Sequence, residues 1–462
     1  MTNSKSSVAI IGGGFCGIMT LVHLINKSKA PIKIILFNAG YPLAKGIAFD
    51  TYTEQHVLNV ACSRMSAFPD EPDHFLNWCK SKPNLKLDSD NLGEQYLPRN
   101  LYGEYLNDIF TTSLKNCPSH VEVEIINEEA VNIIKEENSY SIFSAIGKKV
   151  VATKIVLATG NHAPTPPSIK ETAFLESSFY FGNPWNEAAT ASINSDRPIL
   201  IIGTGLTMVD VVIGLENNNF QGKIYALSPK GFQILSHKKY PTQRDILDEL
   251  SPPYELKSLF KLFYKYVRSA RRKGVSGEAV VDAVRSKTQD IWQNLSLADK
   301  KSFMSHLRHL WGVARHRLPE ELHKKIQQMI SDKKLEILAG RILDMRVDNG
   351  MAKIKLKQRA SHNQLELEVQ RVINCTGPQT DITKYQSKLF QNLINDGVVR
   401  ADEMKLGIDA TEEGKIIESD GTSSESLFTL GSLLKGKLWE STAVPELRVQ
   451  AERLATIILE KL

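Results

Sequence analysis

Two apolar runs in this chain lead directly into glycine, and each is followed by apolar residues at helical spacing. In the first, residues 8–11 precede Gly12, Gly14 and Gly17, and the helical pattern starts at Phe15. A buried strand, the spacing G-x-G-x-x-G and a helix, in this order, are typical of a turn that holds a pyrophosphate at the helix N-terminus. The pattern therefore predicts a dinucleotide site near the start of the chain.

The second run, residues 198–202, leads into Gly203 and Gly205, and its helical pattern begins with Leu206 and Thr207. We expect these four residues to contact the second nucleotide. The third glycine of the motif is replaced here by a larger residue. Two copies of strand, glycine turn and helix nevertheless predict two dinucleotide sites rather than one.

The strand after the second turn bears on the choice between NAD and NADP. An NAD site carries an acid at the end of this strand, and an acid would repel a ribose 2′-phosphate. This chain has Ser228 there and Lys230 two residues later. Because a hydroxyl and an ammonium favour the phosphate, we predict NADP. The alternative is that this segment is only a polar turn.

The strand after the first turn, Ile32–Phe37, also lacks the expected acid. It ends in Asn38, whose amide can donate to and accept from a ribose. Two later apolar strands end in Thr-Gly, at Thr159–Gly160 and Thr376–Gly377. Strands of this kind return the chain to a cofactor domain at each crossover between two nested nucleotide domains. The predicted fold is therefore α/β, with two nested Rossmann-like domains.

Residues 241–330 lack strand patterning and are predicted to form an all-helical insertion. Within it, residues 256–273 place apolar positions at helical spacing, with lysines and arginines opposite. Such a helix presents either a solvated face or a surface for an acidic partner or a membrane. Ser296, three residues before Asp299, predicts a helix N-cap.

A dense cluster of cations follows in HLRHLWGVARHR, residues 306–317. At helical spacing Arg308, Trp311 and Arg315 share one face. Guanidinium groups bind carboxylates and phosphates, and imidazoles transfer protons near neutral pH. We take Arg315 as a candidate catalytic residue that would meet an anionic substrate or an NADPH phosphate. The alternative is that these residues form ion pairs between the insertion and the core.

Composition narrows the classes of function. The chain has 462 residues, of which 42% are hydrophobic and 24% charged, as in ordinary folded proteins of two or three domains. A net charge of +5 is too small to indicate nucleic-acid binding. Five cysteines without C-x-x-C spacing predict neither a dithiol centre nor a metal site, and they suit a reducing cytoplasm. No apolar run is long enough to predict membrane insertion.

Five blocks of the chain resemble the FAD/NAD(P)-binding proteins of the YdhS type, within the flavoproteins that have two dinucleotide-binding domains. The blocks are GIAFDTYTEQHVLNVACSRMSAFPDEPDHFLNW (46–78), LPRNLYGEYL (97–106), GTGLTMVD (203–210), HLRHLWGVARHR (306–317) and WESTAVPELRVQA (439–451). The resemblance covers nearly the whole chain. It implies that the first domain binds FAD (1–165 and 371–462), that the second binds NAD(P)H (166–240 and 331–370), and that 241–330 is inserted.

The block at residues 46–78 mixes small, apolar and amide residues with prolines, which predicts a loop around the flavin. An irregular surface segment is the alternative. Near the C-terminus, Gly431 is followed by serine where many FAD enzymes have aspartate. The expected FAD contacts are Gly12, Gly14, Phe15, Cys16, Gly17, Asn38, Gly46, Asn59, Val60, Met65, Ser66, Val131, Thr159, Gly160, Gly431 and Thr442.

These features predict an FAD-dependent, NADPH-using oxidoreductase with a small-molecule substrate. The leading interpretation is a monooxygenase that hydroxylates a small nitrogen or sulfur nucleophile, with Asn59 and Arg64 as further candidate catalytic residues. The Baeyer–Villiger motif F-x-G-x-x-x-H-x-x-x-W is incomplete, because residues 179–188 lack the histidine. The alternatives are an NAD(P)H dehydrogenase or reductase, and a non-catalytic nucleotide-binding scaffold.

Overall fold

A computed structural model describes residues 6–82, 90–241 and 244–461. The strands in this part of the chain are two to fourteen residues long. They are β1 Ser6–Ile11, β2 Ile32–Phe37, β3 Val121–Ile126, β4 Ala130–Lys135, β5 Tyr140–Ser144, β6 Lys149–Ala152, β7 Lys154–Leu157, β8 Tyr180–Phe181, β9 Ile199–Ile202, β10 Ile224–Ser228, β11 Leu335–Asp348, β12 Met351–Gln358, β13 Gln364–Val369, β14 Arg371–Asn374, β15 Lys415–Ile417 and β16 Ser423–Thr429.

The helices follow the segments with apolar residues at helical spacing. The α-helices are α1 Phe15–Lys27, α2 Gly46–Phe49, α3 His74–Lys80, α4 Arg99–Lys115, α5 Leu206–Asn217, α6 Leu256–Arg272, α7 Glu278–Ala283, α8 Thr288–Asn294, α9 Leu297–His306, α10 Arg308–Arg315, α11 Glu320–Ser331, α12 Lys388–Asn395 and α13 Val444–Glu460. Short 3₁₀ helices occupy Cys62–Arg64, Leu92–Glu94, Thr172–Glu176, Glu187–Ala189, Arg244–Glu249, Arg285–Lys287, Ile382–Lys384 and Gly431–Leu434.

The chain divides into two compact units. Unit 1 comprises residues 1–162, 288–294 and 380–462, and unit 2 comprises residues 163–287 and 295–379. Unit 2 thus ends at residue 379, whereas the resemblance placed the return to the first domain at residue 371. The assignment of a cofactor to each segment stays a prediction.

Unit 1 contains a six-stranded sheet in the order β15-β16-β7-β1-β2-β3. All its neighbouring strands are parallel except the edge pair β15 and β16. A smaller antiparallel sheet, β4-β5-β6, belongs to the same unit. One hydrophobic cluster joins α1, α4 and α13 to the first sheet, and another includes residues of α12 and the small sheet. Parallel strands covered on both faces explain why β1 and β2 read as continuous apolar runs.

Unit 2 contains a seven-stranded sheet in the order β13-β12-β11-β10-β9-β14-β8. The five strands from β11 to β8 are parallel, and β12 and β13 extend the sheet as antiparallel neighbours. The predicted strand at residue 371 is β14, which pairs with β9 in this sheet. Two largely parallel sheets, each with a glycine turn after an inner strand, confirm the predicted α/β class.

The predicted insertion is helical where the structure describes it, from the 3₁₀ turn at Arg244–Glu249 to α11. The N-cap prediction at Ser296 is confirmed, because its hydroxyl accepts a hydrogen bond from Asp299 N at 3.1 Å. One helix of this segment, α8, groups with unit 1. There Trp292 stacks on Trp439 and donates to Gly436 O at 2.8 Å. No described helix is both long and apolar enough to cross a membrane.

A buried histidine in α1 makes unit 1 sensitive to acid. His23 is 4% exposed, its Nε2 has no partner among the described residues, and burial lowers its pKa to about 4. Unfolding returns the pKa to about 6.5, so the unfolded state binds more protons below that pH. Stability is therefore lost as the pH falls from about 6.5 towards 4.

We expect His23→Leu to remove this loss of folding stability at acidic pH. Between pH 7.5 and pH 5 the wild-type chain should lose about 2 kcal/mol through this residue, and the variant should not. Urea unfolding at both pH values measures the difference. His362→Asn is the control, because this exposed loop histidine has a positive φ that asparagine tolerates. Equal acid sensitivity of His23→Leu and the wild type would contradict the prediction.

Candidate functional site: two glycine turns

The first glycine turn is packed so closely that two of its positions exclude any side chain. Gly12 has φ +117°, and a Cβ atom there would overlap Ala158 O. A Cβ atom at Gly17 would overlap Gly12 O, because α1 lies directly on the turn. Both neighbours are backbone atoms and cannot rotate away. These two glycines therefore set the distance between β1, β7 and α1.

Gly14 is different, because the protein leaves space around it. It is the N-cap of α1 in an extended conformation, with φ −80°, and no side chain caps the helix. The atom nearest to an added Cβ is Gly46 Cα at 3.9 Å. The first amide groups of a helix lack partners within the helix and carry its positive dipole end. Here they open onto free space, which fits a pyrophosphate.

The second turn repeats this arrangement in unit 2. Gly203 has φ +116°, and a Cβ atom there would overlap Cys375 O. Gly205 is the exposed N-cap of α5, and an added Cβ would meet no atom within 4 Å. The predicted contact residues Leu206 and Thr207 are half-buried in the first turn of α5. A second open helix N-terminus is therefore available.

Buried polar atoms without partners lie beside the first turn. Thr159 follows β7, and its Oγ1 is buried with no hydrogen bond among the described residues. Gly431 N donates to Gln450 Oε1 at 2.9 Å, which leaves the buried Gln450 Nε2 without a described partner. An added Cβ at Gly431 would lie 2.8 Å from Cys16 Sγ. A hydroxyl and an amide that lack partners next to an open helix N-terminus fit the phosphates and hydroxyls of FAD.

Two predicted flavin contacts use their side chains inside the protein. The Asn38 amide donates to Tyr41 O at 2.9 Å. The Ser66 hydroxyl donates to Glu71 O at 2.6 Å and contacts Phe68 O at 3.1 Å, while Ser66 O accepts from Arg448 Nη1 at 2.9 Å. Both side chains shape loops in this geometry, and their contact with a flavin stays a prediction.

The remaining candidates of the first site are spread over several environments. Phe15 and Met65 are buried, Asn59 and Val60 are half-buried, and Arg64 is exposed in its 3₁₀ turn.

Gly160 and Thr442 are exposed, and Gly46 lies against Gly14 with φ +53°. Val131 lies on β4, where its carbonyl accepts from Asn392 Nδ2 at 3.0 Å. Sequence reasoning missed Gln450 and Arg448. The signal was present, because both lie in the block at residues 439–451.

The strand end of the second site is organised by Ser228. Its hydroxyl oxygen lies 3.0 Å from both Thr204 Oγ1 and Gly231 N, each of which donates to it. Because both bonds use the oxygen as acceptor, the hydroxyl proton is available to a ligand. Lys230 is in the same turn, and its Nζ lies 3.4 Å from His306 O.

Lys230 belongs to a cluster that we call the cation cluster, which consists of the charged Lys230 and Arg308 and the imidazole of His309. Arg308 Nη2 lies 3.4 Å from His309 Nε2. Partial burial, and then the charges of Arg308 and Lys230, lower the pKa of His309. None of the three pairs with a carboxylate within the described residues. Clustered positive charge without a carboxylate partner favours the binding of an anion.

The other residues of the block at 306–317 lie in different environments. Arg317 is buried, and its Nη2 binds both carboxylate oxygens of Asp282, the second at 2.6 Å. This ion pair is not the one of the alternative interpretation, because both partners lie in the helical segment and neither lies in the core. Trp311 packs against Phe263 with ring centres 6.2 Å apart. Arg315, the candidate catalytic residue, is half-buried in the last turn of α10.

In the described part of the chain, no group of three or more His, Cys, Asp or Glu residues is placed to hold a metal ion.

Comparison with known proteins agrees with this geometry. Residues 9–162 match a protein-family model described as FAD-NAD(P)-binding. The whole chain aligns at 20% identity with 97% of an uncharacterized protein of Mycobacterium tuberculosis. The reduced form of ornithine hydroxylase PvdA from Pseudomonas aeruginosa is 14% identical over 99% of both chains, with a TM-score of 0.67. Bacillithiol disulfide reductase Bdr from Bacillus cereus is 13% identical over 99% of both chains, with a TM-score of 0.55.

The two largely parallel sheets and their glycine turns therefore define an α/β fold with two Rossmann-like domains, which the compared structures share. The family-model match confirms the prediction of an FAD/NAD(P)-binding domain at the start of the chain. The likeness in structure confirms the predicted fold class.

The space around Gly14 and Gly205 allows each turn to be tested alone. We expect Gly14→Val to fold but to purify without yellow colour, because the side chain would occupy the phosphate position and the added Cβ would make only an ordinary contact of 3.9 Å with Gly46 Cα. Gly205→Val should stay yellow and be bleached by dithionite but no longer by NADPH. Absorbance at 450 nm measures both.

Gly17→Ala is the matched control for a structural glycine, because its Cβ has no room. It should lose soluble protein rather than cofactor alone. If Gly14→Val retained flavin while Gly205→Val lost it, the assignment of the two turns would be inverted.

Proposed function

We propose that this chain is an FAD-dependent, NADPH-using monooxygenase that hydroxylates the nitrogen of a small amine. The main support for this proposal is that two open glycine turns occur in a fold that matches an ornithine hydroxylase over 99% of both chains. The finer assignment to the YdhS type is part of this proposal and is supported by the five sequence blocks.

Bound FAD would supply the redox chemistry, taking hydride from NADPH and activating dioxygen. The net reaction, R–NH₂ + O₂ + NADPH + H⁺ → R–NHOH + H₂O + NADP⁺, balances in atoms and charge. The amide groups at the start of α1 would hold the FAD pyrophosphate. Thr159 Oγ1 and Gln450 Nε2 are proposed to bind its polar groups, because they otherwise stay buried without described partners.

The loop at residues 46–78 is proposed to border the flavin and to keep water away. Arg448 ties this loop to α13 through Ser66 O. Tyr105 OH accepts a hydrogen bond from Ala67 N at 3.1 Å and shares a second hydrogen bond with His74 Nδ1 at 2.8 Å. A loop held at several points keeps a shaped, dry surface beside a cofactor. Asn59 and Arg64 stay candidates for contact with the reacting groups.

A reductase that passes electrons to a small acceptor is the second candidate, since a bacillithiol disulfide reductase shares the fold. Its match is weaker by TM-score, 0.55 against 0.67. The five cysteines are free, and Cys62, Cys79 and Cys375 are buried. The third candidate is a nucleotide-binding scaffold without catalytic activity.

The test is to supply NADPH and oxygen to the yellow protein with a panel of small amines, including ornithine, lysine and unbranched diamines. We expect one amine to accelerate NADPH oxidation and to yield a hydroxylamine in comparable amount, detected by iodine oxidation. Fast NADPH oxidation with an electron acceptor but no hydroxylamine from any amine would favour the reductase. A colourless protein that takes up no FAD would favour the scaffold.

The cation cluster is proposed to select NADPH over NADH by binding the ribose 2′-phosphate. Ser228, with its available hydroxyl proton, ends the strand where that phosphate would lie. Arg308 would add a guanidinium from the helical segment to the ammonium of Lys230. A phosphate between these groups would relieve their mutual repulsion, because each is without a described carboxylate partner.

We expect Arg308→Gln and Lys230→Gln each to lower kcat/KM for NADPH by about ten- to a hundredfold, the scale of one charge-assisted hydrogen bond. The value for NADH should change little. Lys301→Gln is the control, because Lys301 is exposed on α9 outside the cluster. Equal losses with both nucleotides would contradict a role in phosphate selection.

A further inference from the structure

The helical segment concentrates the positive charge of this protein. Residues 256–317 contain 14 lysines and arginines but only four aspartates and glutamates, a net charge of +10. Because the whole chain has a net charge of +5, the remainder carries −5. A segment so different from the rest of the molecule attracts anionic partners to one part of its surface.

Within this segment, α6 has six cations and no acid. One stripe along its exposed side, which we call the α6 face, consists of Lys257, Phe260, Lys261, Tyr264, Arg268 and Arg271. At 100° per residue these positions fall within about 100° of arc. The opposite side of α6 carries the buried Leu259 and Ala270 and the ring of Phe263 against Trp311. Packing therefore determines which side of the helix faces outward.

The aromatic residues of the α6 face are unusual for a solvated helix. Phe260 is 51% exposed and Tyr264 is 56% exposed, one helical turn apart. The guanidinium of Arg268 lies over the Tyr264 ring at 5.6 Å. Aromatic rings between cations are the composition of helices that lie in a membrane interface.

The cations of the α6 face also lack counterions. The described residues provide no carboxylate partner for Lys257, Lys261, Arg268 or Arg271. Lys265 lies beside this stripe and differs, because its Nζ binds Glu249 Oε1 at 2.6 Å. The positive charge of the α6 face is thus available to an external anion.

We propose that the α6 face binds the surface of an anionic phospholipid bilayer. The cations would contact the headgroups, and Phe260 and Tyr264 would enter the interface between them. A bilayer is favoured over nucleic acid because it offers apolar depth to two protruding rings as well as negative charge. This surface is independent of the monooxygenase proposal, since it contains none of the residues placed in the glycine turns.

The test is sedimentation of the flavin-loaded protein with sucrose-filled vesicles. We expect binding to vesicles with 30% phosphatidylglycerol at 50 mM NaCl, little binding to pure phosphatidylcholine, and weakening at 300 mM NaCl. Lys261→Gln with Arg268→Gln should weaken the partition by about 25-fold, at about fivefold per charge. Phe260→Ser with Tyr264→Ser should weaken it by about tenfold or more.

The segment from Ile146 to Val151, which runs from a turn into β6, provides the matched control. Ile146 is 79% exposed and Val151 is 49% exposed, and the two lysines between them pair with Glu124 and Glu136. Ile146→Ser with Val151→Ser should leave vesicle binding unchanged. Flavin absorbance and NADPH oxidation in solution check that every variant is folded.

Three results would overturn the proposal. The first is that the wild-type protein does not bind anionic vesicles at 50 mM NaCl. The second is that the variants of the α6 face bind as well as the wild type. The third is that the face instead mediates self-association or binding of a 30-nucleotide RNA, shown by light scattering or fluorescence anisotropy, without binding to vesicles.

Discussion

Both glycine turns depend on one close contact between backbone atoms. Gly12 and Gly203 have φ near +117° and face the carbonyl oxygens of Ala158 and Cys375, where no Cβ would fit. The contact forces the strand that ends in Thr-Gly to run directly beside the strand that enters the glycine turn. β7 therefore pairs with β1, and β14 pairs with β9. The helix N-termini open at the same sheet edge in each unit, since parallel strands end together.

Charged and polar residues are distributed unevenly among the strands, the loops and the helical segment of this protein. The strands beside the glycine turns, such as β1, β7 and β9, are mostly buried and apolar. The loops around the first turn contain amides and hydroxyls, and the cations concentrate in the helical segment. A cofactor that carries its own redox chemistry needs positioning and a dry environment more than it needs an acid and a base from the protein.

The residues that sequence reasoning assigned to a ligand sometimes have a partner inside the protein. Ser66 was expected at the flavin, yet its hydroxyl closes its own loop onto Glu71 O. Arg317 was grouped with the other cations of its block, yet it is buried in a pair with Asp282. A short polar side chain or a buried guanidinium takes whichever partner is nearest, and only the folded chain decides which one that is.

The sequence by itself determined the two strand–glycine–helix units and the two Thr-Gly strands, because the period of apolar residues and the need for glycine are local properties. It also determined the helical segment and its charge. The tertiary structure decided that β14 lies in the second sheet, that α8 groups with unit 1, and that Gln450 lies beside the first turn. Each of these arrangements depends on contacts between residues far apart in the chain. Packing and the pairing of buried polar groups decide which of these contacts form. No pattern of neighbouring residues predicts such contacts.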